Sequence, residues 1–301
     1  MSKPSIGFIG LGLMGSAMCQ RLLDLSYPLT IVANRSRGNV EKAVARGAVE
    51  VATAREVAER SDIVMLCMDT SASVESRMFG DDGVIAGLKP RAVTVDFGTS
   101  LPNSTRAIGE AVSARDAAYL DAPLGRTPAH ASDGALNIMC SGDKAAYDRI
   151  EPVLNDLGEN VFHLGALGSG HTVKLINNFF AMTTANAMAE AFAMADQMGV
   201  EREQLYAVMS AGPLHSGMMD FVKAYAIDGK PDALAFAVRN ARKDVGYYAQ
   251  MASDANVESI MSRSVRELLA AATDDGFGDR MIPEMVDYLS KNYSDSGSSR
   301  S

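Results

Sequence analysis

The chain has no tryptophan, and among its 301 residues there are only three cysteines and four histidines. Cys19, Cys67 and Cys140 stand far apart and form no C-x-x-C pair. This excludes a disulfide-stapled scaffold and points to free thiols in a reducing compartment. The histidines are scattered, so no metal-binding constellation is legible. Basic residues are outnumbered 28 to 37, the net charge is −9, and no run of Lys or Arg occurs. Sequence-independent nucleic-acid binding is therefore not expected. No stretch of about 18 apolar residues lacks polar interruption, so no membrane span is predicted. Lys3 ahead of the apolar run 6–19 has the outline of a signal peptide. Gly7, Gly10, Gly12 and Gly15 interrupt that run. It reads instead as strand, loop and helix, and a cytoplasmic location is expected.

What is present is globular in composition, 47% hydrophobic and 22% charged. The length suits about two domains. The first half alternates strand and helix signals. Strands are predicted at 6–10, 29–33, 63–68, 92–96, 119–122 and 136–140, with helices at 14–25, 39–46 and 54–60. The continuous apolar run Ile63–Met68 suits a central parallel strand. The pattern predicts a doubly wound, mostly parallel sheet over residues 1–165. After a glycine-rich turn (Gly165, Gly168, Gly170), residues 171–198 lack proline and glycine, which predicts one long helix joining the domains. Further helices are expected near 203–210, 218–226, 241–252, 259–273 and 283–290. Residues 166–293 thus read as an all-α domain, and the Ser/Gly-rich tail 294–301 as disordered. So long a helix suggests association into a homodimer or homotetramer, with burial inside one subunit the alternative.

Gly10-Leu11-Gly12-Leu13-Met14-Gly15 is a G-x-G-x-x-G between a predicted strand and helix, the context that marks a dinucleotide site. Gly10 permits the turn, Gly12 the approach of a pyrophosphate, and Gly15 close helix–strand packing. The helix N-terminus offers amides to the phosphates. After the second strand, where an NAD site usually carries an acidic residue, stand Asn34-Arg35-Ser36-Arg37. A guanidinium with a neighbouring hydroxyl favours a 2′-phosphate, so NADP is expected, with NAD the alternative. Arg35 and Arg37 as ordinary surface arginines is the plainer alternative.

Residues 7–15 resemble the opening of the β-hydroxyacid dehydrogenases, which include 3-hydroxyisobutyrate dehydrogenase and tartronate semialdehyde reductase. Asp121-Ala122-Pro123 resembles the start of the family's substrate loop. Gly168-Ser169-Gly170 with Lys174-Leu175-Ile176-Asn177-Asn178 resembles its catalytic helix, and Lys243-Asp244 a late cofactor-side motif. The likeness spans about residues 5–290. It implies a Rossmann domain, a long interdomain helix and an all-helical C-terminal domain. It also implies that Met68 and Thr99 line the nicotinamide side and that Lys243 reaches the cofactor.

Lys174, Asn177, Asn178 and Ala181 are spaced to share a helix face. Reduction of an aldehyde needs a proton at the oxygen, and a partly buried lysine suits that task. Lys174 is the expected general acid/base, Asn178 the residue that orients Lys174 or the substrate hydroxyl, and Asn177 a donor to the substrate's distal part. The substrate loop departs from the common Val-Ser-Gly-Gly and reads Leu124-Gly125-Arg126-Thr127. The Gly-Arg-Thr variant resembles the 3-sulfolactaldehyde reductases, in which the arginine and the asparagine matching Asn177 serve the sulfonate. Those enzymes differ in carrying an Asp after the second strand and a serine where Ala181 stands. The expectation is an NADP(H)-dependent oxidoreductase acting on a small anionic aldehyde or hydroxy acid. Alternatives are an NAD-dependent 3-hydroxyisobutyrate, tartronate semialdehyde or 4-hydroxybutyrate type dehydrogenase, an imine reductase, and a non-catalytic dinucleotide-binding protein.

Overall fold

The computed structural model describes residues 3–33 and 37–298. The chain divides into two compact units, 1–174 and 175–301. The division falls inside the long helix, beyond the glycine turn at which the sequence suggested a boundary.

In the first unit the strands are β1 (Ile6–Ile9), β2 (Leu29–Val32), β3 (Val49–Val51), β4 (Ile63–Leu66), β5 (Val93–Asp96), β6 (Ala118–Asp121), β7 (Leu124–Gly125), β8 (Leu136–Gly142) and β9 (Gly158–His163). The helices are α1 (Leu13–Asp24), α2 (Arg37–Ala45), α3 (Ala54–Glu59), α4 (Ser71–Met78), α5 (Val84–Gly87), α6 (Pro102–Ser113), α7 (Pro128–Asp133) and α8 (Lys144–Leu157). The sheet order is β3-β2-β1-β4-β5-β6-β8-β7, with β9 paired to β8. From β3 to β6 every neighbour is parallel, whereas β8 runs antiparallel to β6 and to β7.

Period-two alternation builds a core on each face of the sheet. Phe8, Ile31, Met65, Val95 and Leu120 are aligned across five strands and pack with Met18 and Leu22 of α1. The next residues along, Ile9, Val32 and Leu66, turn to the other face and pack with Val57, Val74 and Ile108. In β5 and β6 that same terminal position is taken by Asp96 and Asp121 instead.

α9 (Ser169–Met198) is 30 residues long, which at about 1.5 Å per residue is roughly 45 Å. The second unit contains its larger part and α10 (Arg202–Ser210), α11 (Gly217–Ala226), α12 (Val238–Asp254), α13 (Ile260–Ala272) and α14 (Met285–Ser298). Met182, Ala185, Ala189, Phe192 and Ala193 of α9 meet Val222, Val245, Leu269, Met285 and Leu289 in one core. α14 continues through Ser298, where composition suggested disorder from Ser294. Its buried residues hold it in that core, and Gln197 Nε2 donates to Ser294 Oγ at 2.9 Å. Among the described residues no helix is long and apolar enough to cross a membrane.

Candidate active site

The turn from β1 to α1 has the geometry that the glycine spacing implies. Gly10 has φ of +101°, and a Cβ there would stand 2.3 Å from the Cys67 carbonyl oxygen. A Cβ on Gly15 would stand 1.9 Å from the Gly10 carbonyl oxygen. Gly12 is different: it is exposed, and a Cβ there would meet nothing within 4 Å among the described residues. Gly12 caps α1 with no side-chain hydrogen bond, and first-turn amides lack intrahelical acceptors. Leu13, at 80% exposed, and half-buried Met14 complete this rim. These residues fit a dinucleotide, because the backbone is open where a pyrophosphate would rest and closed elsewhere. Asn39 of α2 pins the loop by donating to the Leu11 carbonyl at 2.8 Å, a support the motif did not reveal.

Met68 lies beside the turn, with its sulfur 2.9 Å from a Cβ position at Gly10. Thr99 is half-buried in the loop after β5. Asn34, Arg35 and Ser36 lie outside the described residues. Arg37, the other candidate there, is committed elsewhere: its fork meets both carboxylate oxygens of Glu50. Burial pushes the Cys67 thiol up to about 12, Asp96 adds to the rise, and the Gly15 amide bond opposes it.

Gly125, Arg126 and Thr127 follow at the end of β7, paired to β8. Arg126 has φ of +76°, a left-handed backbone that explains why the family usually has glycine there. Its guanidinium is not free: Nη1 donates to the Ala135 carbonyl at 2.7 Å and to the Glu159 carboxylate. Thr127 caps α7, with its hydroxyl 2.8 Å from His130 Nδ1.

Lys174, Asn177, Asn178 and Ala181 all stand on α9. Lys174 is half-buried, Asn177 exposed and Asn178 only 7% exposed. The Asn178 amide donates to Asp244 Oδ2 at 2.6 Å, and its Oδ1 accepts from Asn177 Nδ2 at 3.2 Å. Asp244 is buried on α12, and its other oxygen lies 3.1 Å from Lys243 Nζ. Lys243 also sits over the Tyr247 ring. The second unit thus gathers Asn177, Asn178, Asp244 and Lys243 into one polar cluster. Sequence reasoning named Asp244 only as part of a motif. Its role as the anchor of Asn178 needed the fold.

Residues 5–165 match the family described as the NAD binding domain of 6-phosphogluconate dehydrogenase. Residues 168–289 match the NAD-binding domain of NADP-dependent 3-hydroxyisobutyrate dehydrogenase. The chain is 32% identical over 217 residues to 2-hydroxy-3-oxopropionate reductase of Escherichia coli, covering 71% of this chain and 73% of that protein. It is 29% identical over 277 residues to 3-sulfolactaldehyde reductase of Escherichia coli, covering 91% and 92%. A 3-hydroxyisobutyrate dehydrogenase from Salmonella typhimurium superposes with a TM-score of 0.80 at 26% identity, over 94% of this chain and 99% of that one. With both family matches in order along the chain and relatives of matching length, the protein belongs to the NAD(P)-dependent β-hydroxyacid dehydrogenases and is an oxidoreductase.

Proposed function

We propose that the protein is a cytoplasmic NADP(H)-dependent enzyme that interconverts a short anionic aldehyde with its hydroxy acid or hydroxy sulfonate. The observation that carries this reading is the one-turn spacing of Lys174 and Asn178 on α9, with the Asn178 amide locked onto buried Asp244. When bound, the reduced dinucleotide supplies the hydride that goes to the carbonyl carbon. Lys174 stabilises the negative charge that develops on the oxygen and delivers a proton to it. In the reverse direction neutral Lys174 accepts the hydroxyl proton. Because Nδ2 of Asn178 is committed to Asp244, its Oδ1 is the end left to accept hydrogen bonds, including one from Asn177. That acceptor orients Lys174, and Asn177 serves the substrate.

Gly125, Arg126 and Thr127 hold the anionic head group, with the Arg126 fork released from Glu159 in exchange for a carboxylate or sulfonate. Ala181 offers no hydroxyl to that group. Gly10, Gly12, Leu13, Met14 and Gly15 cradle the pyrophosphate, and Arg35 with Asn34 and Ser36 selects the 2′-phosphate. The outer side of α9 exposes Ile176, Phe180, Met194 and Met198. We assign this strip to a second copy of the chain, and light scattering that returns a monomer would refute the assignment.

The test is initial NADPH consumption with sulfolactaldehyde, succinate semialdehyde and tartronate semialdehyde. Turnover with at least one, faster with NADPH than with NADH, is expected. Failure with all three, or preference for NADH, overturns the corresponding part. A preference for sulfolactaldehyde means that Arg126 and Asn177 read a sulfonate despite Ala181. A preference for either carboxylate makes Gly125–Thr127 a broader anion clamp.

A further inference from the structure

The parallel strands β5 and β6 end on two register partners, Asp96 and Asp121, both with no exposed surface. Like charges buried side by side are unfavourable unless their oxygens are satisfied. Asp96 accepts the Gly98 amide at 2.8 Å and the Ser100 hydroxyl at 2.9 Å. Asp121 accepts the amides of Gly168 and His171, each at 2.8 Å, and the Ser141 hydroxyl. The Ser141 oxygen in turn accepts the Gly170 amide at 2.9 Å. Asp121 and Ser141 together therefore take up the free amides at the start of α9.

The His171 ring enters between the two carboxylates and has no exposed surface. Nε2 lies 3.7 Å from Asp96 Oδ2, and Nδ1 lies 3.8 Å from Asp121 Oδ2. Nδ1 is hydrogen-bonded to Thr105 Oγ1 at 2.7 Å. Among the described residues Nε2 has no hydrogen-bond partner. Nε2 thus faces the Asp96 carboxylate while Nδ1 meets the Thr105 hydroxyl.

We propose that His171 is a positioning residue for Lys174, acting with Asp96 and Asp121; the proposal rests on Lys174 being the proton donor. Asp96 shapes residues 97–100, which carry Thr99. Asp121 fixes the first turn of α9, and Lys174 follows His171 by one turn on the same side. His171 lies beside both carboxylates, so it ties the loop bearing Thr99 to the helix bearing Lys174. A donor shifted by about 1 Å loses on the order of 100-fold in rate.

The experiment compares His171→Leu and His171→Gln with the parent. It reads kcat, both KM values, thermal unfolding, and the isotope effect from NADPH deuterated at nicotinamide C4, using the fastest of the three aldehydes. His171→Leu should lower kcat by about tenfold or more. Both KM values should stay within about threefold, and the isotope effect on kcat should rise. His171→Gln, whose amide can still donate towards Asp96, should recover much of the rate. A merely structural role would reduce the active fraction and leave the isotope effect unchanged, and that result overturns the proposal. So does an unchanged kcat. If His171→Leu does not fold, Thr105→Val removes only the Nδ1 partner and must lower kcat in the same direction. Retained turnover in Lys174→Ala would instead remove the underlying reading. Loss there with a normal His171→Leu refutes this inference alone.

Discussion

Gly12 and Gly15 stand three residues apart in one motif, yet the structure predicts opposite consequences for adding a methyl group. At Gly12 the new Cβ meets nothing within 4 Å among the described residues, and the backbone, at φ −71° and ψ −161°, suits alanine. Alanine is a poorer cap than glycine by roughly 1 kcal/mol. Reduced freedom of the unfolded chain returns about 0.4–1 kcal/mol, so stability should barely change. The methyl group projects into the space assigned to the pyrophosphate. Losing one charge-assisted bond there removes about 1.5–3 kcal/mol, which is roughly a 10- to 100-fold rise in the NADPH Kd. At Gly15 the Cβ would overlap a backbone oxygen at 1.9 Å. That change should destabilise by about 1–3 kcal/mol or more. NADPH fluorescence titration and thermal unfolding of both variants separate the two effects. A Gly12→Ala protein that binds NADPH like the parent would refute the cradle.

Other expectations concern the substrate side and the thiols. Asn178→Leu should leave buried Asp244 short of a donor, costing about 1–3 kcal/mol in denaturant unfolding, and should lower kcat. Arg126→Ala should raise the KM for the aldehyde about tenfold or more with little change in NADPH binding, and an unchanged KM would remove Arg126 from the substrate site. Burial pushes Cys67 and Cys140 each up to about 12 from 9.0. In the native protein at pH 8 they should therefore resist an aromatic disulfide reagent, which would find all three thiols after denaturation. The same shifts fix the sign of alkaline behaviour: above 9.0 the unfolded thiols ionise while the folded ones remain protonated up to about 12. Stability is then intact below pH 9 and is lost as pH rises towards 12, a loss that Cys140→Ser should reduce in melts across that range.

Elements with a strong period were legible before the fold was known. The apolar strands at 6–10, 29–33 and 63–68 and the long glycine-free helix appear at almost those limits. β3 and β9 were not legible, since both are partly exposed and carry polar residues where alternation would show. β9 also enters through a register shift at Leu136/Asn137, which blurs its pattern further. For the candidate site, the glycine spacing and the shared helix face of Lys174, Asn177 and Asn178 were visible in the sequence because both are local patterns. The partners were not. Asp244 reaches Asn178 across 66 positions, and Glu159 reaches Arg126 across 33. No local pattern encodes such pairings. Asp96 closed an expected strand and Asp121 opened the substrate-loop motif, and only the register placed them side by side.

The proposed chemistry depends on Lys174 supplying the proton. Single-turnover reduction by Lys174→Ala, with NADPH bound before the aldehyde is added, tests it most directly. If Lys174 is the proton donor, NADPH affinity stays near normal and the chemical step slows by about 10²- to 10⁴-fold. A folded Lys174→Ala protein that reduces the aldehyde at the parent rate would contradict it.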